Sequence, residues 1–286
     1  MRNLQFVKIW QGGRHSVSKR VLRVLKDSSQ LRQLHICTPK LETRDVRKLE
    51  QLEIFSIDVD LTAKGLLHSC RTMTNLRTLR LTDQVSSARL REVLVHLPHI
   101  RDLSFCINRC VSKHSKLLDC CRDASSSLSR LFDFLASQRS TLVALSVKGP
   151  ICAVHEAESL VRIKSLKSLD CNFSSPDFVL LLRELPSLRV LRITYLQPID
   201  ISYAYLHLVR QCRELRFLRI FDYNINPDFV RKASEVLEDV EAKKPLQLLI
   251  HGRHSSATLR EFTSMAEDRK NLLFRSITAS ELFTLI

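Results

Sequence analysis

Glycine and proline are scarce in this sequence, with 5 glycines and 8 prolines among 286 residues. This scarcity leaves little room for a flexible linker between domains. The sequence has no apolar run of about 18 residues, the length that a membrane-spanning helix needs. It also lacks a glycine-rich phosphate loop, a Gly-x-Ser-x-Gly turn and a His-Glu-x-x-His motif. We therefore expect no membrane contact, no catalytic residues and no cofactor, and so a protein that is not an enzyme.

Aromatic residues are also few, with 1 tryptophan and 4 tyrosines, while the net charge is +15. A basic surface of this kind favours an acidic partner: nucleic acid, an acidic protein or an anionic membrane. No zinc finger, recognition helix or RNA-recognition signature accompanies the charge. The sequence therefore predicts an acidic protein partner rather than nucleic acid.

The nine cysteines do not form a pattern that predicts disulfides or a metal site. Their number is odd, and Cys171 and Cys212 occupy apolar repeat positions, so buried thiols in a reducing compartment are the simpler interpretation. The cluster from Cys106 to Cys121 with His114 carries zinc-type ligands, but its spacing fits no common finger or ribbon, so we expect no metal. The first residues carry no secretory signal, and we expect a cytoplasmic or nuclear monomer.

A Leu-x-x-Leu-x-Leu segment recurs along almost the whole sequence. Its first positions are Leu4, Leu31, Leu52, Leu76, Ile100, Leu142, Leu166, Leu188 and Leu215, with looser copies at Leu246 and Leu272. The step is 21 residues from Leu31 to Leu52 and 31 from Leu215 to Leu246, and only the 42 from Ile100 to Leu142 is out of range. A fixed period in the twenties with one short apolar strand per unit is typical of leucine-rich repeats.

The first, fourth and sixth positions of each copy are apolar, so they face one side of a strand. Such a strand cannot bury its apolar face alone, but stacked copies form a parallel sheet that helices cover. The pattern predicts an α/β fold: a right-handed leucine-rich-repeat solenoid (horseshoe), ribonuclease-inhibitor-like, with the parallel sheet on the concave face and helices on the convex face. We expect a single domain, 1–286, of about ten repeats, with an irregular insertion at about 106–141 that ends in a helix over 128–137.

Two helix ends carry a cysteine ahead of the repeat strand. Cys212 precedes Leu215, Leu218 and Ile220, and Cys70 precedes Leu76, Leu79 and Leu81 at a longer distance. This arrangement resembles the cysteine-containing repeats of F-box/LRR proteins. The resemblance covers residues 1–250 and implies that the repeats hold a substrate for a cullin-type (SCF) ubiquitin ligase. No F-box is present in this chain, so we expect a ligase adaptor as a partner only if an F-box lies outside it. The alternative is a stand-alone scaffold or inhibitor that binds an acidic protein.

The fifth repeat position points away from the apolar side of each strand. In the C-terminal half we expect it to bring arginine and aromatic side chains together, a composition that is typical of interface hot spots. The predicted partner-binding residues on the concave face are Arg80, Arg192, Tyr195, Arg219 and Phe221, with Asp222 beside them. A solvated polar face with scattered aromatic residues is the alternative interpretation.

A second basic stripe follows the first leucine of each copy. Its members are Arg32, Arg77, Arg101, Lys167, Arg189 and Arg216. Stacking would place them roughly 5 Å apart, where like charges repel mildly unless anions lie near them. Long basic side chains also cover apolar surface in such repeats, so a purely structural role and an acid-recognising role both remain open.

Overall fold

The computed structural model describes residues 4–10, 21, 24–25, 27–37, 49–58, 63–107, 118–137, 141–242, 244–251, 256–266 and 271–277. The chain divides into two compact units, Met1–Gly149 and Pro150–Ile286. Each unit is built from the predicted alternation of short parallel strands with helices. Within the described ranges there are eleven strands, one for each copy of the repeat segment.

The first unit contains strands β1 to β5 and the start of β6. Their bounds are β1 (Phe6–Trp10), β2 (Gln33–Cys37), β3 (Ile54–Asp58), β4 (Thr78–Gln84), β5 (Asp102–Cys106) and β6 (Ala144–Ile151). Each strand pairs in parallel with the next one along the chain. The register places the fourth repeat positions side by side, as Leu34 opposite Phe55 and Leu79 opposite Leu103. The repeat pattern thus favours this register, because a shift by one residue would expose the apolar row.

The described helices of the first unit are α1 (Ala63–Cys70), α2 (Ser87–Leu94) and α3 (Leu118–Ser137). Helix α2 begins after an extended Ser86, whose hydroxyl accepts a hydrogen bond from the Arg89 N–H. It ends at Leu94, four residues before Pro98. Helix α3 begins ten residues before the predicted start at Leu128, so the polar part of the insertion is helical from Leu118 onwards. No proline or glycine lies within this segment to stop the helix earlier.

The second unit continues the same alternation. Its strands are β7 (Ser168–Phe173), β8 (Val190–Tyr195), β9 (Phe217–Phe221), β10 (Leu246–His251) and β11 (Leu272–Ile277), and its helices are α4 (Val154–Val161), α5 (Pro176–Leu181), α6 (Ser202–Gln211), α7 (Phe229–Asp239) and α8 (Ser256–Ala266). Strands β7 to β11 pair in parallel in chain order. A 3₁₀ turn, Leu182–Glu184, extends α5, which begins at Pro176 after the cap residue Ser175.

Burial follows the predicted period of two. In β8 the exposed fractions of Leu191 and Ile193 are 0% and 1%, whereas Arg192 between them is only half-buried. The first repeat positions, such as Leu188 and Leu166, are fully buried beneath the strands. Parallel strands, a helix after most of them and a common apolar row identify the architecture. The chain has a leucine-rich-repeat fold, and the predicted α/β class is confirmed.

Neighbouring coils are joined by a repeated pair of backbone hydrogen bonds where each strand begins. The Arg32 carbonyl accepts hydrogen bonds from the N–H groups of Glu53 (2.8 Å) and Ile54 (3.0 Å). The Arg77 carbonyl does the same for Arg101 and Asp102, at 2.8 and 3.0 Å. Residues that follow the first leucine are therefore held as immediate neighbours from coil to coil.

The two helix-end cysteines are buried, and the apolar repeat position of Cys212 predicts this for that residue. Cys70 is the last residue of α1 and is 0% exposed. Cys212 follows the last residue of α6, and its thiol lies 3.8 Å from the Leu182 carbonyl oxygen. Burial raises the pKa of Cys70 to about 12 and that of Cys212 to about 11. Both thiols are therefore protonated and unreactive at neutral pH, as expected of packing residues.

Gly149 holds a backbone conformation that a larger residue adopts only with strain. Its φ is 120°, and an added Cβ would lie 2.6 Å from Cγ1 of the buried Ile107. We expect Gly149→Ala to destabilise the first unit by about 1–3 kcal/mol. Urea unfolding followed by circular dichroism measures this change. Gly65→Ala, inside α1, is the matched control, and we expect it to leave stability unchanged or raise it by about 0.5–1 kcal/mol. Equal effects of the two substitutions would contradict the role given to Gly149.

Candidate functional site

The sheet residues between the buried positions form what we call the open face. In the second unit its middle row consists of Asp170, Arg192, Arg219, Leu249 and Arg275, one residue from each strand. The Cα atoms of Arg192 and Arg219 are direct register partners on β8 and β9. Directly opposed like charges are unfavourable in isolation. Two arginines at opposed positions of neighbouring strands therefore favour an anion near them.

Aromatic side chains flank this arginine pair on both sides along the strands. The Arg192 guanidinium carbon lies 5.4 Å from the centroid of the Phe217 ring, a cation–π contact. Phe221 packs edge-on against Tyr223, with ring centroids 5.3 Å apart, and Tyr223 is 40% exposed. The Arg219 side chain has no ion pair or hydrogen bond to any residue that the structure describes. The row thus offers the Arg219 guanidinium between partly exposed aromatic side chains.

The structure brings together three of the five predicted site residues and corrects a fourth. Arg192, Arg219 and Phe221 lie on the open face of adjacent strands, as predicted. Tyr195 does not, because its side chain is only 1% exposed and belongs to the buried row with Leu191 and Ile193. Tyr195 lies three positions after Arg192, and an odd offset along a strand places two side chains on opposite faces. The prediction that Tyr195 contacts a partner there is wrong.

Asp222 is also buried rather than beside the open face. Its carboxylate accepts hydrogen bonds from the Tyr205 hydroxyl (2.9 Å) and the Asn224 N–H (2.8 Å), and its side chain is fully buried. Burial raises the pKa of Asp222, although the hydrogen bonds from Asn224 and Tyr205 act in the opposite direction. The same burial, together with Asp222 itself, raises the pKa of Tyr205. This pair secures the turn after β9 to helix α6 and is part of the framework.

Arg80, the fifth predicted site residue, lies in the first unit on the open face of β4. One of its guanidinium nitrogens is 3.1 Å from a carboxylate oxygen of Asp102 on β5, and both side chains are partly exposed. In the same row, the pKa of His35 is lowered by partial burial and then by the positive charges of Arg80 and Lys8. The open face of the first unit is therefore also electropositive around Arg80, but its guanidinium already has an internal partner.

Three open-face residues of the second unit were not predicted as contacts. The Phe217 ring contacts the Arg192 guanidinium, Tyr223 extends the aromatic surface beyond β9, and Arg275 continues the basic row on β11. Phe217 and Arg275 occupy regular alternating positions, so the repeat register could have found them. Tyr223 follows the end of its strand, where the period-two rule no longer gives an orientation.

No metal site is evident in the described ranges, where no three His, Cys, Asp or Glu side chains are grouped to hold an ion. The described cysteines, which include the exposed Cys152 and the buried Cys171, form no disulfide bond with one another. Helices within these ranges are also too short or too polar to cross a lipid bilayer.

Comparisons with known proteins find similarity among solved structures. No protein-family model matches the sequence, and no curated protein matches it. A solved structure described as an internalin C2 from Listeria monocytogenes str. 4b F2365 is similar to this chain. Its TM-score is 0.38 and its sequence identity 15%, over 77% of this chain and 84% of that chain. Similarity at this level adds no argument, so the fold assignment rests on the strands and their register.

Proposed function

We propose that this chain is a non-enzymatic protein-binding module that holds an acidic partner on the open face of its second unit. The observation that carries the proposal is the adjacent pair Arg192 and Arg219, bordered by Phe217, Phe221 and Tyr223. Guanidinium groups fork onto carboxylates, and aromatic rings supply apolar contact area at low entropic cost. Leucine-rich-repeat proteins typically present such a surface to other proteins.

Within this proposal, substrate recognition for a cullin-type ubiquitin ligase is the finer assignment. It rests on the helix-end cysteines Cys70 and Cys212 and their resemblance to the repeats of F-box/LRR proteins. The second candidate is a stand-alone scaffold or inhibitor that uses the same face. The basic middle row favours an acidic protein in either case. Affinity capture of the full-length gene product separates the two: co-purification of the ligase adaptor and cullin supports the first, and capture of an acidic protein without them supports the second.

Charge reversal at Arg219 tests the binding face itself. We expect Arg219→Glu to weaken binding of the acidic partner at least tenfold, because the carboxylates of the partner then meet a like charge. The affinity is measured by titration with the partner protein that wild-type chain captures. Arg183→Glu, which makes the same change at an exposed helical position, is the control and is expected to bind as wild type. Equal affinities for wild type and Arg219→Glu would remove the open face from the proposal.

A further inference from the structure

A second, separate feature is a cavity of about 410 Å³ in the first unit, where the coils enter their strands. Every residue that lines it comes from one of two repeat positions, the one before or the one after the first leucine. The positions before it supply Gln51, Asn75, His99 and Thr141, and the positions after it supply Arg32, Glu53, Arg77 and Arg101. The cavity is therefore a direct product of the repeat, built from five successive copies.

Backbone hydrogen bonds hold the basic residues of this cavity next to each other. The Arg77 N–H donates to the Glu53 carbonyl and the Arg101 N–H to the Arg77 carbonyl, each at 2.8 Å. Arg32 has an acidic neighbour, with its Nε 3.7 Å from the Glu53 carboxylate. The exposed guanidinium groups of Arg77 and Arg101 have no ion pair or hydrogen bond within the described part of the chain. Three guanidinium groups thus surround the cavity with one carboxylate.

In the second unit, an acidic side chain lies between the two arginines at the equivalent repeat positions. Arg189 and Arg216 follow the first leucines of two successive copies, as Arg77 and Arg101 do. Glu214 stands immediately before the second of those leucines, and its carboxylate lies 3.7 Å from the Arg189 Nη2 and 3.9 Å from the Arg216 Nη2. One internal carboxylate therefore bridges the two arginines of neighbouring coils.

In the first unit the position equivalent to Glu214 is His99. Glu214 precedes Leu215, and His99 precedes Ile100. The cavity thus has the two arginines of the bridge but not the carboxylate between them. Like charges this close repel unless an anion separates them, and a pair of guanidinium forks matches the oxygens of a carboxylate or a phosphate.

We propose that this cavity binds an oxyanion, a carboxylate or phosphate group carried by a larger ligand, between Arg77 and Arg101. Asn75, His99 and Thr141 supply hydrogen-bonding groups around it. The volume lies within the range of about 300–1,000 Å³ that is typical of small-molecule sites, so there is space for an organic group behind the anion. The proposal uses none of the open-face residues of the second unit, and it stands or fails independently of the protein-binding function.

Paired substitutions in the two units test the arginines. The probes are inorganic pyrophosphate and a glutamate-rich peptide, titrated by calorimetry into the full chain at low salt. We expect saturable binding of at least one probe, weakened at least tenfold by Arg77→Gln with Arg101→Gln. The matched control, Arg189→Gln with Arg216→Gln, removes the same charge from the same repeat positions and should leave the affinity unchanged. Equal losses in both variants would reduce the site to nonspecific attraction and overturn the proposal, as would the absence of saturable binding.

An exchange of the bridging residue gives a test in the opposite direction. We expect His99→Glu to supply the missing carboxylate internally and to weaken probe binding at least tenfold. Glu214→His should release Arg189 and Arg216 and add a second binding event in the second unit. Thermal unfolding of both variants checks that they remain folded. Unchanged probe affinity in a folded His99→Glu variant would contradict the proposed position of the anion.

The two probes also separate the sources of the ligand. Tighter binding of pyrophosphate, with the expected loss in His99→Glu, assigns the cavity to a phosphorylated ligand. Tighter binding of the peptide, with the same loss, assigns it to an acidic side chain of a protein. Both results support an oxyanion site. They are evidence for this cavity only if the affinity for the probe depends on Arg77, Arg101 and His99.

Discussion

Leu191→Asp is expected to unfold the second unit. Leu191 is 0% exposed at the fourth repeat position of β8, in register between Leu169 on β7 and Leu218 on β9. Loss of a buried leucine costs about 2–5 kcal/mol, and an unpaired buried carboxylate adds several kcal/mol more. The total approaches the whole stability of a typical domain, about 5–15 kcal/mol. Circular dichroism during urea or thermal unfolding measures the loss.

The matched control is Leu196→Asp, the same substitution immediately after the same strand. Leu196 is 50% exposed, so its carboxylate stays in water. We expect a change of no more than about 0.5 kcal/mol in the free energy of unfolding. Equal losses of stability in the two variants would mean that aspartate acts through its low β-strand propensity. The buried leucine row would then not be what stabilises the stacked coils.

Asp222→Ala is the second substitution with a large expected effect. The variant removes the acceptor of both the Tyr205 hydroxyl and the Asn224 N–H, and Tyr205 is itself fully buried. Each buried donor left without an acceptor costs about 1–3 kcal/mol, so we expect a loss of about 2–5 kcal/mol in urea unfolding. Asp222→Asn keeps an acceptor and a polar partner at the same place and is expected to lose far less. Equal losses would show that the hydrogen bonds do not carry the effect.

We also expect the stability of wild type, compared with that of Asp222→Asn, to depend on pH. Burial raises the folded pKa of Asp222 above the ordinary value of 3.8. The protonated carboxyl is therefore favoured by folding, and its contribution is fully present below pH 3.8 and is lost as the pH rises through the folded pKa. Relative to Asp222→Asn, which does not titrate, wild type should lose stability as the pH rises across this window. Urea unfolding at pH values from the acidic range to neutrality measures the difference, and a constant difference would contradict the raised pKa.

The strands were the most predictable part of the fold. The spacing of the leucine triplets predicted the two loosest copies, and strands β10 and β11 begin at Leu246 and Leu272, as expected. This accuracy has a physical cause, since one short apolar strand per coil leaves a single register that buries every triplet. Proline lies near two helix boundaries, since α5 begins at Pro176 and α2 ends at Leu94, four residues before Pro98.

The candidate site was less predictable, because its residues depend on contacts between coils. The period of two correctly placed Arg192 and Arg219 side by side, and the same rule, counted through to position 195, would have placed Tyr195 in the core. Neither the burial of Asp222 nor the pairing of Arg80 with Asp102 has a signal in the linear sequence. Whether a basic residue has an acidic partner depends on where the neighbouring side chains extend. The repeat spacing does not specify this.

The alternation along each strand has a consequence for how such a chain can change over time. Residues that hold a coil to its neighbours, such as Leu191 and Ile193, and residues that face outward, such as Arg192, occupy separate rows. Outward residues can therefore be exchanged one coil at a time at little cost to folding. Selection for a new ligand would act on the outward row, whose positions are independent of one another. The buried row would be selected separately, for packing that keeps the chain folded.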